Sequence, residues 1–423
     1  MKRKVLALVL ALTLALSMCA VAQAKTISFL SIWAEDYDNG KILTDLSKQY
    51  KEEVNPDFEF EFELVSSDNL QQKVATLAVS NDLPDIFAYE SGTPLKTLIE
   101  NDYVLNVSEA LRELGVDNLV DAGAYAFLTS LVGTEDLYDL PLGLNIEGFW
   151  YNKALFEQAG IEAAPTTWDE LLEDCEKLMA AGIQPFATDG ADQWPATRLI
   201  NAYVMRKLGV DAMNKMAAGE LSYTDPGLVE AAQMLQDMCA KGYFGVGPTT
   251  VDQNTAAQMI LAGEAAIIYN GSWYTQDLVA PTNPAGEDGI GFFNIPTVEG
   301  GVGAITEYSM NCGTILCLSK EKYDEETADW LKYIVTHIGD YAMKEMGALK
   351  GYVISEYPED MSKYSILVSE EMGKVTASST WFEAAMDSEL STVAQRNVQT
   401  LMNGEMTAEE YCQAMQDVWE MSR

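Results

Sequence analysis

From Ile27 onward the chain alternates strand-like and helix-like patterns. Ile27 to Trp33 is an apolar run that predicts a buried strand. Ile42, Leu43, Leu46 and Tyr50 then recur at helical spacing. Phe58-Glu59-Phe60-Glu61-Phe62-Glu63-Leu64 alternates strictly, which predicts a strand with one wet face. Leu70, Val74, Leu77 and Ala78 mark a second helix, and Asp85 to Tyr89 a short strand after Pro84. This βαβαβ series is the mark of an α/β fold, a mostly parallel sheet with helices on its faces. Ligands of such sheets lie beyond the carboxyl ends of the strands. Trp33, Glu35, Tyr89 and Glu90 fall at or just past those ends, so they are candidate contacts.

Farther along, Thr167 and Glu170 have the spacing of a capping box, followed by Leu171, Leu172, Cys175, Leu178 and Met179 on one face and a stop at Gly182. A helix over Thr255 to Leu261 leads through Gly263 into a strand over Ala265 to Tyr269. Thr407 and Glu410 form a second capping box, with Tyr411, Met415 and Val418 on the helix face behind it. The sequence holds no internal repeat and no Pro- or Ser-rich tether. At about 150 residues per domain the length predicts two or three domains, joined by short crossings.

The first 24 residues change the compartment. Lys2, Arg3 and Lys4 precede an apolar run from Val5 to Ser17, and Ala22-Gln23-Ala24 offers a small-x-small cut before Lys25. This reads as a secretory signal peptide, too short for the roughly 20 residues that span a bilayer. Leu16-Ser17-Met18-Cys19 resembles a lipoprotein box with a poor residue at Met18, which makes a lipid anchor at Cys19 the minor option. The five other cysteines, Cys175, Cys239, Cys312, Cys317 and Cys412, make no C-x-x-C and read as buried small hydrophobes.

Charge narrows the partners. The chain carries 26 basic and 65 acidic residues; without Lys2, Arg3 and Lys4 the net charge is near −42. That argues against nucleic acid as a main partner, opposes docking on anionic lipid, and favours a monomer. The single histidine, His337, disfavours His-rich metal sites and ferric iron, so no metal and no cofactor is expected. Asp36-Tyr37-Asp38-Asn39-Gly40 lacks the register and closing Glu of a calcium loop.

An ordered string of segments then carries a family resemblance. Tyr138 to Gly143 is followed by Trp150-Tyr151-Asn152-Lys153-Ala154-Leu155-Phe156, Ala159-Gly160-Ile161 and Pro165 to Leu171. Pro84-Asp85-Ile86, Gly263-Glu264-Ala265-Ala266 running into Asn270-Gly271-Ser272-Trp273, Ile295-Pro296 and Gly404 to Glu410 complete the order. The string resembles the bacterial extracellular solute-binding proteins of family 1, the maltose-binding-protein-like class. The resemblance implies a two-lobed periplasmic-binding-protein fold with a hinged cleft. It also implies a sugar or oligosaccharide ligand, an ABC transporter permease as partner, and a periplasmic or extracellular location. The family topology further implies three crossings, near Leu140 to Glu147, Gly291 to Pro296 and Tyr333 to Tyr341. One lobe would hold residues 25–145 plus 296–336, the other 146–295 plus 337–423.

A sugar offers apolar C–H faces and a belt of hydroxyls, so its site needs flat rings and planar carboxylates or amides. Trp273 after a turn, Trp381 in a polar helix entry, and Trp194, where the family places a stacking aromatic, are the candidate rings. Asn145 stands where maltose-binding members have a sugar-contacting carboxylate, and Tyr308 is a further candidate. Trp150 and Trp168 belong to the family's structural string and read as packing. Aromatics with carboxylates also suit a polyamine. An extracellular glycoside hydrolase would need two carboxylates about 5 to 10 Å apart, a weak signal among 65 acids. G-x-S-x-G, H-E-x-x-H and phosphate-loop motifs are missing from the sequence, so no catalytic residue is assigned.

Overall fold

The computed structural model describes residues 25–423. The signal-peptide and Cys19 readings lie outside the described residues. The strands are β1 (Thr26–Ser31), β2 (Glu59–Leu64), β3 (Ile86–Tyr89), β4 (Asn145–Asn152), β5 (Gln184–Phe186), β6 (Ala265–Gly271), β7 (Ile290–Phe293), β8 (Glu307–Asn311), β9 (Ile315–Leu318) and β10 (Ala377–Ser379). Helices fill most of the intervening chain, which makes a two-lobed α/β molecule.

The first sheet has the order β2-β1-β3-β9. β1 pairs in parallel with β2 and β3, with helices Asp38–Glu53 and Ser67–Val79 as the crossovers. On β2 the glutamates face water, while Phe60 and Phe62 turn inward against Phe29, the Phe62 ring edge-on at 5.5 Å. β9 returns antiparallel to β3, pairing Ile86 with Leu318 and Tyr89 with Ile315.

The second sheet has the order β10-β8-β4-β6-β5, with β7 also on β4. It is mixed rather than mostly parallel, because β4 runs antiparallel to β6, β7 and β8. β4 starts at the crossing between lobes and runs away from it, whereas β6 and β8 run back toward it. The start of β4 therefore meets the ends of its neighbours: Asn145 pairs with Asn311 and Glu147 with Gly271. That junction positions the candidate site. On β4, Phe149 faces one core with Tyr269 and Phe293, and Ile146 and Trp150 face another with Tyr274 and Tyr308. Trp150 and Trp168 are both buried. Both capping boxes form, on helices Trp168–Ala180 and Ala408–Met421.

The first lobe's core draws on Ile27 to Leu142 and on Cys312 to Tyr352. The second lobe's main core draws on Phe149 to Val298 and Phe382 to Met415. These cores depart from the expected lobe limits at two places. Residues 296–311 pack with the second lobe, where Val298 and Tyr308 are buried; Ile338, Ala342 and Tyr352 pack with the first. Arg206 supplies the physical reason at the first place. Its buried guanidinium donates to the carbonyls of Ile295 (2.9 and 2.8 Å), Ala304 and Glu307 (2.9 Å), binding that loop to helix Trp194–Leu208. At the second, helix Glu325–Met346 lies along helix Asp38–Glu53 and continues past residue 336 on the same apolar face. The five cysteines among the described residues are free thiols.

One buried acid stands out near the crossing. Asp139 is fully buried, and neither carboxyl oxygen has a hydrogen-bond partner among the described residues. Burial pushes its carboxyl from 3.8 up to about 7, against a small opposing pull from the Ser91 hydroxyl. The folded state thus holds a proton that the unfolded chain releases. The stability this gives is full below about pH 3.8 and is lost as pH rises through about 7. Asp139→Asn keeps the shape and removes the titration. Thermal melts should show the variant's advantage over wild type growing from about pH 4 to about pH 7, by at most about 1.4 kcal/mol per pH unit, and levelling off above that. A difference that stays flat with pH refutes it.

Candidate functional site

Three of the expected aromatics converge on one wall of the second lobe. Trp194 opens helix Trp194–Leu208, Trp273 follows the end of β6, and Trp381 follows β10. All three are half-buried. The Trp194 and Trp273 rings meet edge to face, with centroids 6.2 Å apart. Local backbone sets each ring. Gly271 leaves room for the Trp273 ring, which a Cβ at that position would strike. Gln193, immediately before Trp194, adopts φ 65°, a conformation that favours glycine. Strain of that kind persists where surrounding structure fixes it, and it collects at functional positions.

Arg198, one helical turn after Trp194, sits among these rings. Its guanidinium carbon lies 5.0 Å from the Trp194 ring centre and 5.8 Å from that of Trp381. Its Nη1 forms an ion pair with Glu147, whose side chain is 1% exposed. Glu147 also accepts from Asn311 Nδ2 at 2.6 Å and from the Tyr269 hydroxyl at 3.2 Å. Asn145 joins the same network: its amide donates to Asn311 at 3.2 Å and accepts from the Ser272 hydroxyl at 3.1 Å. Asn145 is thus oriented by protein on both sides of its amide. A narrow pocket beside it is lined by Asn145, Ser272, Trp273 and the Asp38–Lys350 ion pair, 2.7 Å long.

The first lobe supplies the facing wall. Glu90 is exposed and accepts from Gln71 at 2.6 Å. Desolvation pushes its carboxyl above the ordinary range; the Gln71 bond and the Arg198 charge oppose that. The lobes touch on either side of this gap. Gln276 donates to the Tyr37 hydroxyl at 2.8 Å. Gly92, at φ 85°, lies so close to the Ala384 carbonyl that a Cβ would come within 2.7 Å of it.

The other expected residues fall differently. Trp33 is half-buried against the first lobe's core, and Glu35 is exposed. Tyr89 is 4% exposed and packs edge-on to Phe87, mainly a core residue. Tyr308 does not join the others. It is buried on the opposite face of β8 from Asn311, and its hydroxyl donates to Glu371 at 2.5 Å. Strand alternation is the reason, since Tyr308 and Asn311 are three residues apart and point to opposite faces.

Arg198, Glu147 and Gln71 are the residues that the sequence reading missed. Two signals for them were present. Trp194 and Arg198 are four apart at a helix start and so share a face. Glu147 is a charge in the apolar run Asn145 to Asn152, which demands a partner once buried. Among the described residues, no group of three or more His, Cys, Asp or Glu could hold a metal ion. None of the described helices is long and apolar enough to cross a membrane.

The family model for bacterial extracellular solute-binding proteins matches residues 34–339. A Brucella abortus chain carrying the name of a binding protein is 27% identical over 256 residues, 60% of this chain and 60% of its own length. The chain thus spans about 60% of that curated relative. Among solved structures, a chitin oligosaccharide binding protein superposes with a TM-score of 0.84 at 23% identity, covering 95% of this chain and 99% of that one. A protein described with xylan utilization by the thermophilic bacterium Caldanaerobius polysaccharolyticus also gives 0.84, at 22% identity, covering 93% and 100%. These likenesses establish the shared fold.

The network yields a stability prediction. Glu147→Ala leaves Arg198 without its counter-charge beneath the rings. Breaking a buried pair from one side should lower the unfolding free energy by about 3 kcal/mol or more. Urea unfolding of variant and wild type measures it; a loss under about 1 kcal/mol, the range of exposed pairs, contradicts it.

Proposed function

The chain belongs to the bacterial extracellular solute-binding proteins, and on that premise we propose that it captures a sugar or oligosaccharide between its lobes and delivers it to an ABC transporter permease. The observation that carries this reading is the convergence of Trp194, Trp273 and Trp381 on one wall, opposite the Glu90 and Gln71 of the other lobe. Indole faces suit the apolar side of a sugar ring, and carboxylate and amide groups suit its hydroxyls. Two of the proteins sharing the fold are described with chitin oligosaccharide and with xylan, which supports the same ligand class. The protein acts as a carrier, not an enzyme. It works outside the cytoplasmic membrane, as a monomer, without nucleic acid as partner.

Binding needs both walls, so ligand energy is what favours the closed over the open arrangement. The permease reads the closed shape. The division of labour follows the two cores: residues 25–142 with 312–352 form one wall, and most of the remainder forms the other. A cationic polyamine is the competing ligand, and one observation opposes it. The Arg198 guanidinium already lies over the Trp194 and Trp381 rings and would repel a second cation there.

A thermal-shift screen tests the reading, with chitin, xylan and maltose oligosaccharides set against spermidine. A sugar present at 100 times its dissociation constant should stabilise by about 2.7 kcal/mol. A shift with spermidine alone, or turnover of the sugar, overturns the proposal. In the same assay Trp273→Ala should fold normally and lose about 2 kcal/mol of binding energy, roughly thirtyfold in affinity. Unchanged affinity removes Trp273 from the site.

A further inference from the structure

We infer that Arg198 is a positioning residue that clamps the Trp194 and Trp381 rings into one binding wall, anchored to the sheet through Glu147. The inference deepens the proposed sugar-binding reading and rests on it for its ligand. The two rings come from chain segments far apart, the start of a helix and the loop after β10. One planar guanidinium lies within 5.0 Å of one ring centre and 5.8 Å of the other. A flat, delocalised cation can serve two ring faces at once, which a compact ammonium cannot.

The anchor below the rings is rigid. Glu147 lies on β4, and its two oxygens are held by Asn311 from β8 and Tyr269 from β6. The position of the rings is therefore set by the register of three neighbouring strands. Arg198 Nε is buried and has no hydrogen-bond partner among the described residues. Its N–H is left unused by the anchor, which is made through Nη1 to Glu147. A guanidinium held by one ion pair and two ring faces is thus placed by stacking, not by a full set of hydrogen bonds. Thr197, its neighbour, donates to buried Glu383 in the Trp381 segment, which brings that loop against the same helix.

The test compares Arg198→Lys, which keeps the charge for Glu147 but cannot span two rings, with the neutral pair Arg198→Met and Glu147→Gln in one chain. The second variant removes both charges of the Arg198–Glu147 pair together, so it keeps the test open if the first does not fold. The first readout needs no ligand: the indole N–H signals of Trp194 and Trp381 in the NMR spectrum of the full chain. Both should shift and broaden, with the signal of core Trp150 unmoved. The second readout is the affinity for chitotriose, xylotriose and maltotriose. Any of these that wild type binds should bind about tenfold more weakly to Arg198→Lys, the loss of a desolvated cation–π contact. Wild-type indole signals for Trp194 and Trp381 in either folded variant overturn the clamp, and so does unchanged affinity in Arg198→Lys. If wild type binds none of the three sugars, the proposed ligand class fails, while the indole signals still decide for or against the clamp.

Discussion

A buried charge must be paired, and the candidate site is organised around the way one such charge is met. Glu147 sits inside the second sheet at 1% exposure, where an isolated carboxylate would be strongly disfavoured. Its partners come from three other elements: Arg198 from a helix, Asn311 from β8 and Tyr269 from β6. Satisfying that one carboxylate draws the helix start to the sheet edge. It carries Trp194 there on the same turn, with the Arg198 guanidinium 5.8 Å from the Trp381 ring centre. The aromatic wall is in this sense a consequence of a polar constraint.

Asp139 shows the opposite solution to the same problem. It is as deeply buried as Glu147, but neither carboxyl oxygen has a hydrogen-bond partner among the described residues, and burial pushes its carboxyl up to about 7. Pairing fixes geometry, whereas neutralisation leaves stability dependent on pH. The two acids lie on either side of the first crossing, one ending the first lobe's core and one entering the second sheet. A single short segment thus contains both a rigid polar anchor and a proton-sensitive position.

Two of the contacts between the lobes are made by small or polar groups. Gly92 against Ala384 allows backbone to approach backbone, and the Tyr37–Gln276 bond is a single neutral link. Net bonds of that kind contribute on the order of 1 kcal/mol each.

The sequence by itself determined the pieces. The βαβαβ opening and both capping boxes follow from local spacing and residue type, whereas the packing of Trp150 and Trp168 and the choice of Trp194, Trp273 and Trp381 as candidate rings rest on the family resemblance. Such features are legible because helix and strand periods act over a few residues. Tertiary structure alone decided that Arg198 pairs with Glu147 across 51 residues, and that Arg206 binds residues 295–307 to the second lobe. It also turned Tyr308 into a core while Asn311 joined the polar network. Each of these depends on strand order and register in a mixed sheet. A shift of one residue reverses the face of every side chain on a strand, and local pattern carries no record of which distant charge will be its neighbour.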